Sequence, residues 1–195
     1  MNKHPSQIIV AYDFSDSAEL ALRHAFDLAS EDDTRQFHFL VALDPKKGIG
    51  LKKNEKIDFE YTQEVQELAT KRIENSLEEA GYGGDITMLV HVRIGGPAEE
   101  VLSLAEEVGA NLVLVGSHGR TGVKRMLLGS VSEEIVRAAK CPVMVARERE
   151  YVDTKRSKII DVPEGAEARG PEYVPPHRFS YKSSAPTRSN AWALY

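Results

Sequence analysis

Residues 116–134 read GSHGRTGVKRMLLGSVSEE, and they gather groups suited to holding an anion. Gly116 and Gly119 flank a turn after an apolar run, and Gly129-Ser130 opens a helical pattern. Glycine lets main-chain amides approach a ligand with no Cβ in the way. The first amides of a helix have no intrahelical acceptor and carry partial positive charge, so they favour a phosphate. Ser130 and Ser132 can add hydroxyl donors, while Arg120, Lys124 and Arg125 bring local positive charge. At a second joint, Asp13 closes the first strand-like run, QIIVAYD. A plainer reading stands beside this one: the glycines allow tight strand-to-helix packing, Ser130 caps a helix, and Asp13 caps the helix that follows it. Other phosphate motifs are absent from the sequence. No GK[ST] occurs, and DFSDS stands where a GxGxxG turn would follow the first strand.

The elements that must position these residues alternate. Strand-like runs at 7–13, 37–43, 85–93, 111–115 and 142–146 are separated by helical patterns. The first helix is capped by Ser15 or Asp16 and carries Ala18, Ala21, Leu22, Ala25, Leu28 and Ala29 on one stripe. The second runs from about Asp58 to Ala80, with Val65, Leu68, Ala69, Ile73 and Leu77 on one face and Gly81, Gly83 and Gly84 after it. Gly96-Pro97 starts the third, whose stripe is Ala98, Val101, Leu102, Ala105 and Val108. Ser130 and Glu133 fit a capping box opening a fourth helix that runs to Lys140. This alternation predicts an α/β fold, a parallel sheet with helices on both faces. Ligands of such sheets sit beyond the carboxyl ends of the strands, where the strand order reverses. Asp13 and Gly116 both lie at strand carboxyl ends.

Composition narrows the function classes. The chain has 195 residues, 42% hydrophobic and 28% charged, as a globular domain does. No apolar run approaches the roughly 18 residues of a membrane helix, and the start shows no cleavage site, so neither membrane nor secretion is expected. Residues 1–150 hold 18 Lys+Arg against 25 Asp+Glu. That acidic body disfavours nucleic acid and anionic membrane as partners. Cys141 is the single cysteine, which excludes an internal disulfide and any multi-cysteine metal site. It is expected to be buried, and a cytoplasmic location follows from this cysteine usage.

The spacing Gly116-x2-Gly119-x9-Gly129-Ser130 resembles the nucleotide-binding motif of the universal stress protein family. The surrounding text, LVLVGSHGRTGVKRMLLGSVSEEIVRAAKCPVMVAR, is similar to that family's final third, and IIVAYDFSDSAELAL to its first strand and helix. The resemblance covers roughly residues 5–148. It implies a five-stranded Rossmann-like sheet in the order 3-2-1-4-5, related to the adenine nucleotide alpha hydrolases, and ATP, ADP or AMP between the first and fourth strands. Any Mg2+ would come with the phosphates. It further implies that Asp13 meets the ribose, that the backbone near Val41 and Ala42 meets adenine, and that Val115 and Gly116 border the base and ribose. Gly119, Gly129, Ser130, Val131 and Ser132 would meet the phosphates. Arg120 and Lys124 join them on charge and position. At Phe14 many relatives carry glycine.

The family resemblance also implies a homodimer through the last strand, about Val143 to Ala146, a short apolar edge that invites cover. Residues 1–149 form the expected nucleotide-binding domain. Residues 150–195 hold 5 of the 9 prolines but also 6 of the 14 aromatics. Disordered tails are normally poor in aromatics, so an arm packed on the domain or on a dimer mate is expected, with a protein partner as the other possibility. The sequence identifies no positioned group that would make His118 catalytic, and the remaining histidines show no metal spacing. The lysines 46, 47, 52, 53 and 56 read as a solvated loop. The functional expectation is a nucleotide-dependent signalling module. The alternatives are a slow ATPase, or an interaction dimer whose tail carries the function.

Overall fold

Alternate residues of the central strands face opposite sides, and both sides are apolar. Ile8 and Val10 point one way and Ile9 the other; Leu114 opposes Val113 and Val115. A strand with that pattern is stable only when covered on both faces. The computed structural model describes residues 5–31, 34–45, 57–83, 85–119 and 128–148. Its elements are β1 (Gln7–Ala11), α1 (Asp16–Glu31), β2 (Gln36–Leu43), α2 (Phe59–Glu79), β3 (Thr87–Ile94), α3 (Pro97–Val108), β4 (Leu112–Gly116), α4 (Ser130–Ala138) and β5 (Val143–Ala146). All strands are parallel in the order β3-β2-β1-β4-β5, as expected.

Two cores follow. One joins Ile8, Val10, Phe37, Phe39, Val41 and Leu114 to α1 and α2, through Ala21, Leu22, Ala25 and Phe26 of α1 and Val65, Ala69 and Ile73 of α2. The other joins Ile9, Leu40, Val113 and Val115 to Ala98, Val101 and Leu104 of α3 and Ile135 of α4. Right-handed crossovers require this division. The chain moves one way along the sheet through α1 and α2, then returns past β1 and moves the other way through α3 and α4. The chain divides into two units, Met1–Arg149 and Glu150–Tyr195, and the second lies outside the described residues, as does the lysine loop at 46–56.

Two helix stripes differ from the sequence pattern. Leu68 is 59% exposed although Val65 and Ala69 beside it are buried, because α2 covers β3 near the sheet edge and touches its support along a narrow face. In α3 the buried leucine is Leu104, while Leu102 is only half-buried. On the outer edge of β3 one carbonyl is taken by α2: Gln66 Nε2 donates to Val90 O at 2.7 Å. Arg93 on β3 and Glu107 on α3 form a two-armed pair, Nη1 to Oε1 at 2.7 Å and Nη2 to Oε2 at 2.6 Å, which holds the Glu107 carboxyl down at about 2.

At the end of the sheet remote from Asp13, a polar chain crosses three strands. Gln7 Nε2 donates to Gln36 Oε1 at 3.1 Å, so its Oε1 is left to accept from His38 Nε2 at 2.6 Å. His38 Nδ1 then accepts from His91 Nε2 at 2.9 Å. Burial lowers the proton affinity of both imidazoles, helped by the other ring for His38 and by Arg93 for His91, with Glu107 opposing. The unfolded chain therefore binds more protons in acid than the folded one. The stability this pair contributes is full above the ordinary histidine range, about pH 6.5, and is lost as pH falls below it. The urea midpoint of the wild type is expected to drop between pH 7.5 and 5.5. His38→Gln should start lower and fall less.

Candidate functional site

The carboxyl ends of β1 and β4 are neighbouring strand ends from which the chain departs to opposite sides of the sheet, so a crevice opens between them. β1 stops at Ala11, two residues before Asp13. Asp13 Oδ1 accepts from Ser15 N at 3.1 Å. Ser15 is the residue that caps α1: its Oγ accepts from Ala18 N at 3.2 Å and its carbonyl from Glu19 N at 3.0 Å. Between them Phe14 sits at φ 64°, the one positive φ outside glycine among the described residues. That left-handed conformation costs a residue with a Cβ roughly 1–2 kcal/mol.

The loop after β4 is stitched at both ends. Ser117 N donates to Ala146 O at 2.9 Å, extending the β4–β5 ladder, and Gly129 N returns to Ser117 O at 2.8 Å. Ser132 Oγ donates to Gly116 O at 2.7 Å from a buried position. Ser17 Oγ bonds His118 O, tying the loop to the first turn of α1. These bonds bring Gly116, Gly119, Gly129, Ser130 and Ser132 to one place beside Asp13. Val115 is buried beneath them and Val131 packs against the same core. Arg120, Lys124 and Arg125 lie outside the described residues.

The three spaced glycines have different reasons. A Cβ on Gly116 would come within 2.7 Å of the Ser17 carbonyl carbon and 2.8 Å of its oxygen, so Gly116 is there for close backbone packing, as the plainer sequence reading has it. A Cβ on Gly119 would stand 2.9 Å from Asp13 Oδ2, which shows that this carboxylate oxygen reaches across to the loop. At Gly129 neither reason applies among the described residues. Its φ is −70°, open to any residue, and a Cβ would find ordinary contacts of 3.4 Å or more.

Gly129 also corrects the expected capping box. Gly129 occupies the N-cap of α4, Glu133 N bonds its carbonyl at 2.9 Å, and no side chain caps the helix. Ser130 is the first helical residue, one place too late to cap. Ser132 differs too: its hydroxyl proton is committed to Gly116 O, so it offers a ligand its main-chain amide. The site therefore presents the amides of Ser130, Val131 and Ser132, which helix geometry leaves without intrahelical acceptors, at the positive end of the helix dipole.

On the other side of β1, strand alternation selects between Val41 and Ala42. The β1–β2 ladder ends with Tyr12 N donating to Leu40 O at 2.9 Å, and Gly95 N bonds Leu43 O at 3.0 Å on the β3 side. Even-numbered β2 residues thus turn their N–H and C=O toward β1 and odd-numbered ones toward β3. Ala42, one step beyond the last bond to Tyr12, aims its main-chain donor and acceptor into the crevice; Val41 does not. No sequence pattern marks out Ser17 and Ser117, whose bonds stitch the loop.

The profile of the universal stress protein family matches residues 5–147. The chain belongs to that family. Universal stress protein MJ0531 of Methanocaldococcus jannaschii is 32% identical over 142 residues, 72% of this chain and 81% of that protein. Universal stress protein MJ0577 of the same organism is 32% identical over 158 residues, 73% of this chain and 95% of that protein. The solved structure of MJ0577 superposes with a TM-score of 0.60 at 28% identity, covering 76% of this chain and 99% of that one. A universal stress protein solved in complex with cAMP shares the fold, with a TM-score of 0.52 at 22% identity over 74% of this chain and 98% of that one. Across the universal stress protein domain so defined, no described helix is long and apolar enough to cross a membrane, and no described group of His, Cys, Asp or Glu could hold a metal. Cys141 is half-buried, and burial pushes its thiol up, away from reactivity.

Proposed function

We propose that the crevice between β1 and β4 binds an adenine nucleotide, ATP, ADP or AMP, and that the protein is a nucleotide-dependent signalling module of the stress response in the cytoplasm. The observation that carries this reading is Gly129. It needs neither its φ nor its lack of a Cβ for packing against the described residues, and it leaves the first amides of α4 without a side-chain cap. A bound phosphate is what such a helix start accommodates. Asp13, aimed at Gly119, fits the ribose; the main chain of Ala42 supplies one donor and one acceptor, as the adenine edge needs. Arg120 would add charge at the phosphates, and Mg2+ would arrive with them.

In this reading the ligand is held by backbone amides and no bond is broken, so slow hydrolysis is the secondary alternative. The reading extends to a homodimer through Val143–Ala146. Supporting it, Met144 on β5 and Val136 on α4 are exposed at that edge.

Titration calorimetry on the full chain with adenosine, AMP, ADP and ATP tests the nucleotide site. The expected order is adenosine weakest, with a gain of about tenfold or more once phosphates are present, and that gain shrinking as salt is raised. Adenosine binding as tightly as ATP would remove the phosphate cradle from the reading.

A further inference from the structure

Phe14 holds a left-handed backbone that favours glycine, yet it is a bulky aromatic. Residues persist in such conformations only where their surroundings over-determine them. Here the surroundings are specific. The Phe14 ring packs edge-on against Tyr12, centroids 5.0 Å apart and planes at 60°. Tyr12 is buried, and its hydroxyl donates to Glu19 Oε1 at 2.6 Å. Glu19 is held from α2 by Arg72 Nε at 3.0 Å and Ser76 Oγ at 3.2 Å. The two aromatics thus bracket Asp13, and they are anchored through α1 to α2. Asp13 lies in the turn between them: Oδ1 takes the Ser15 amide, and Oδ2 stands 2.9 Å from where a Cβ on Gly119 would sit.

We propose that Tyr12 and Phe14 form a positioning clamp that aims the Asp13 carboxylate across the crevice and so sets a preference for ligands bearing a cis-diol, the ribose hydroxyls. This rests on the nucleotide reading of the site. A carboxylate can accept from both hydroxyls of a ribose only if its plane is fixed, since a free rotor forfeits one bond and the order needed for the other. With glycine at position 14 the turn can leave the left-handed region and Asp13 can swing with it. The rings are positioning residues: they act on the ligand through Asp13.

The test compares ATP with 2′,3′-dideoxyATP by titration of the full chain, in wild type, Asp13→Ala, Phe14→Gly, Phe14→Tyr and Tyr12→Phe. Wild type is expected to prefer ATP by roughly tenfold or more, the worth of hydrogen bonds to a charged acceptor. Asp13→Ala should abolish the preference. Phe14→Gly should lose most of it through weaker ATP binding alone, with dideoxyATP affinity within about twofold of wild type. Phe14→Tyr keeps the ring and should keep the preference. Tyr12→Phe retains the ring pair without the Glu19 bond, and it should fall between wild type and Phe14→Gly. If Phe14→Gly discriminates like wild type, or weakens both nucleotides in parallel, the clamp is refuted while the nucleotide site stands on the wild-type and Asp13→Ala results. A wild type that binds neither nucleotide overturns the clamp and the nucleotide reading together.

Discussion

Gly129→Asp is expected to stabilise the free protein and to weaken ATP binding by about two orders of magnitude. The first effect follows from helix chemistry. Among the described residues a Cβ at position 129 meets nothing closer than 3.4 Å, and aspartate is a better N-cap than glycine, accepting from the first-turn amides and complementing the helix dipole. Together these contribute roughly 0.5–1 kcal/mol, or about 1–4 °C in melting temperature for a domain of this size. The second effect comes from the same carboxylate. It takes the amides the phosphates would use and sets a negative charge beside them, and like charges so placed cost several kcal/mol. Differential scanning fluorimetry and calorimetric titration read the two arms separately. If stability rises and ATP affinity is unchanged, the start of α4 is not the phosphate cradle.

Gly116→Ala should act in the opposite sense, on the fold first. The added methyl would press on the Ser17 main chain at 2.7–2.8 Å, and backbone in the first turn of α1 cannot swing aside as a side chain can. Overpacking of this kind costs about 2–3 kcal/mol, or roughly 5–10 °C in melting temperature. Since Ser17 also bonds His118 O, the strain passes into the loop, and nucleotide affinity is expected to fall with stability. Thermal unfolding followed by circular dichroism checks this. A melting temperature within a degree of wild type would show that β4 and α1 have room the structure does not allow them.

These contrasting glycines show what the sequence could and could not reveal. The alternating sheet was legible because runs such as IIVA and LVLV are apolar at every position, which only strands covered on both faces require. Pro97 marked the start of α3 because proline is tolerated at a first helical position. The sequence located the crevice as well, since Asp13 and Gly116 fall at strand ends. The separate roles of Gly116, Gly119 and Gly129 were not legible, because each depends on what lies opposite across the crevice. Ser17 and His118 meet across 101 positions of chain. The capping box failed for a local reason: S-x-x-E fits a helix beginning one residue later than this one. Phe14 differed from the common glycine in sequence, but its left-handed conformation emerged only with the Tyr12 ring beside it. Leu68 fits the helical stripe yet is exposed, because periodicity gives the direction of a helix face and not its width.

The proposed function stands or falls with an adenine nucleotide in the β1–β4 crevice. Its most direct test is the nucleotide content of freshly purified full-length protein, released by denaturation and resolved by ion-exchange chromatography, with folded Gly129→Asp alongside. The account predicts adenine nucleotide from the wild type and none from the variant. An empty wild type whose melting temperature is unmoved by millimolar ATP would contradict it, since a ligand that binds the native state must raise its stability.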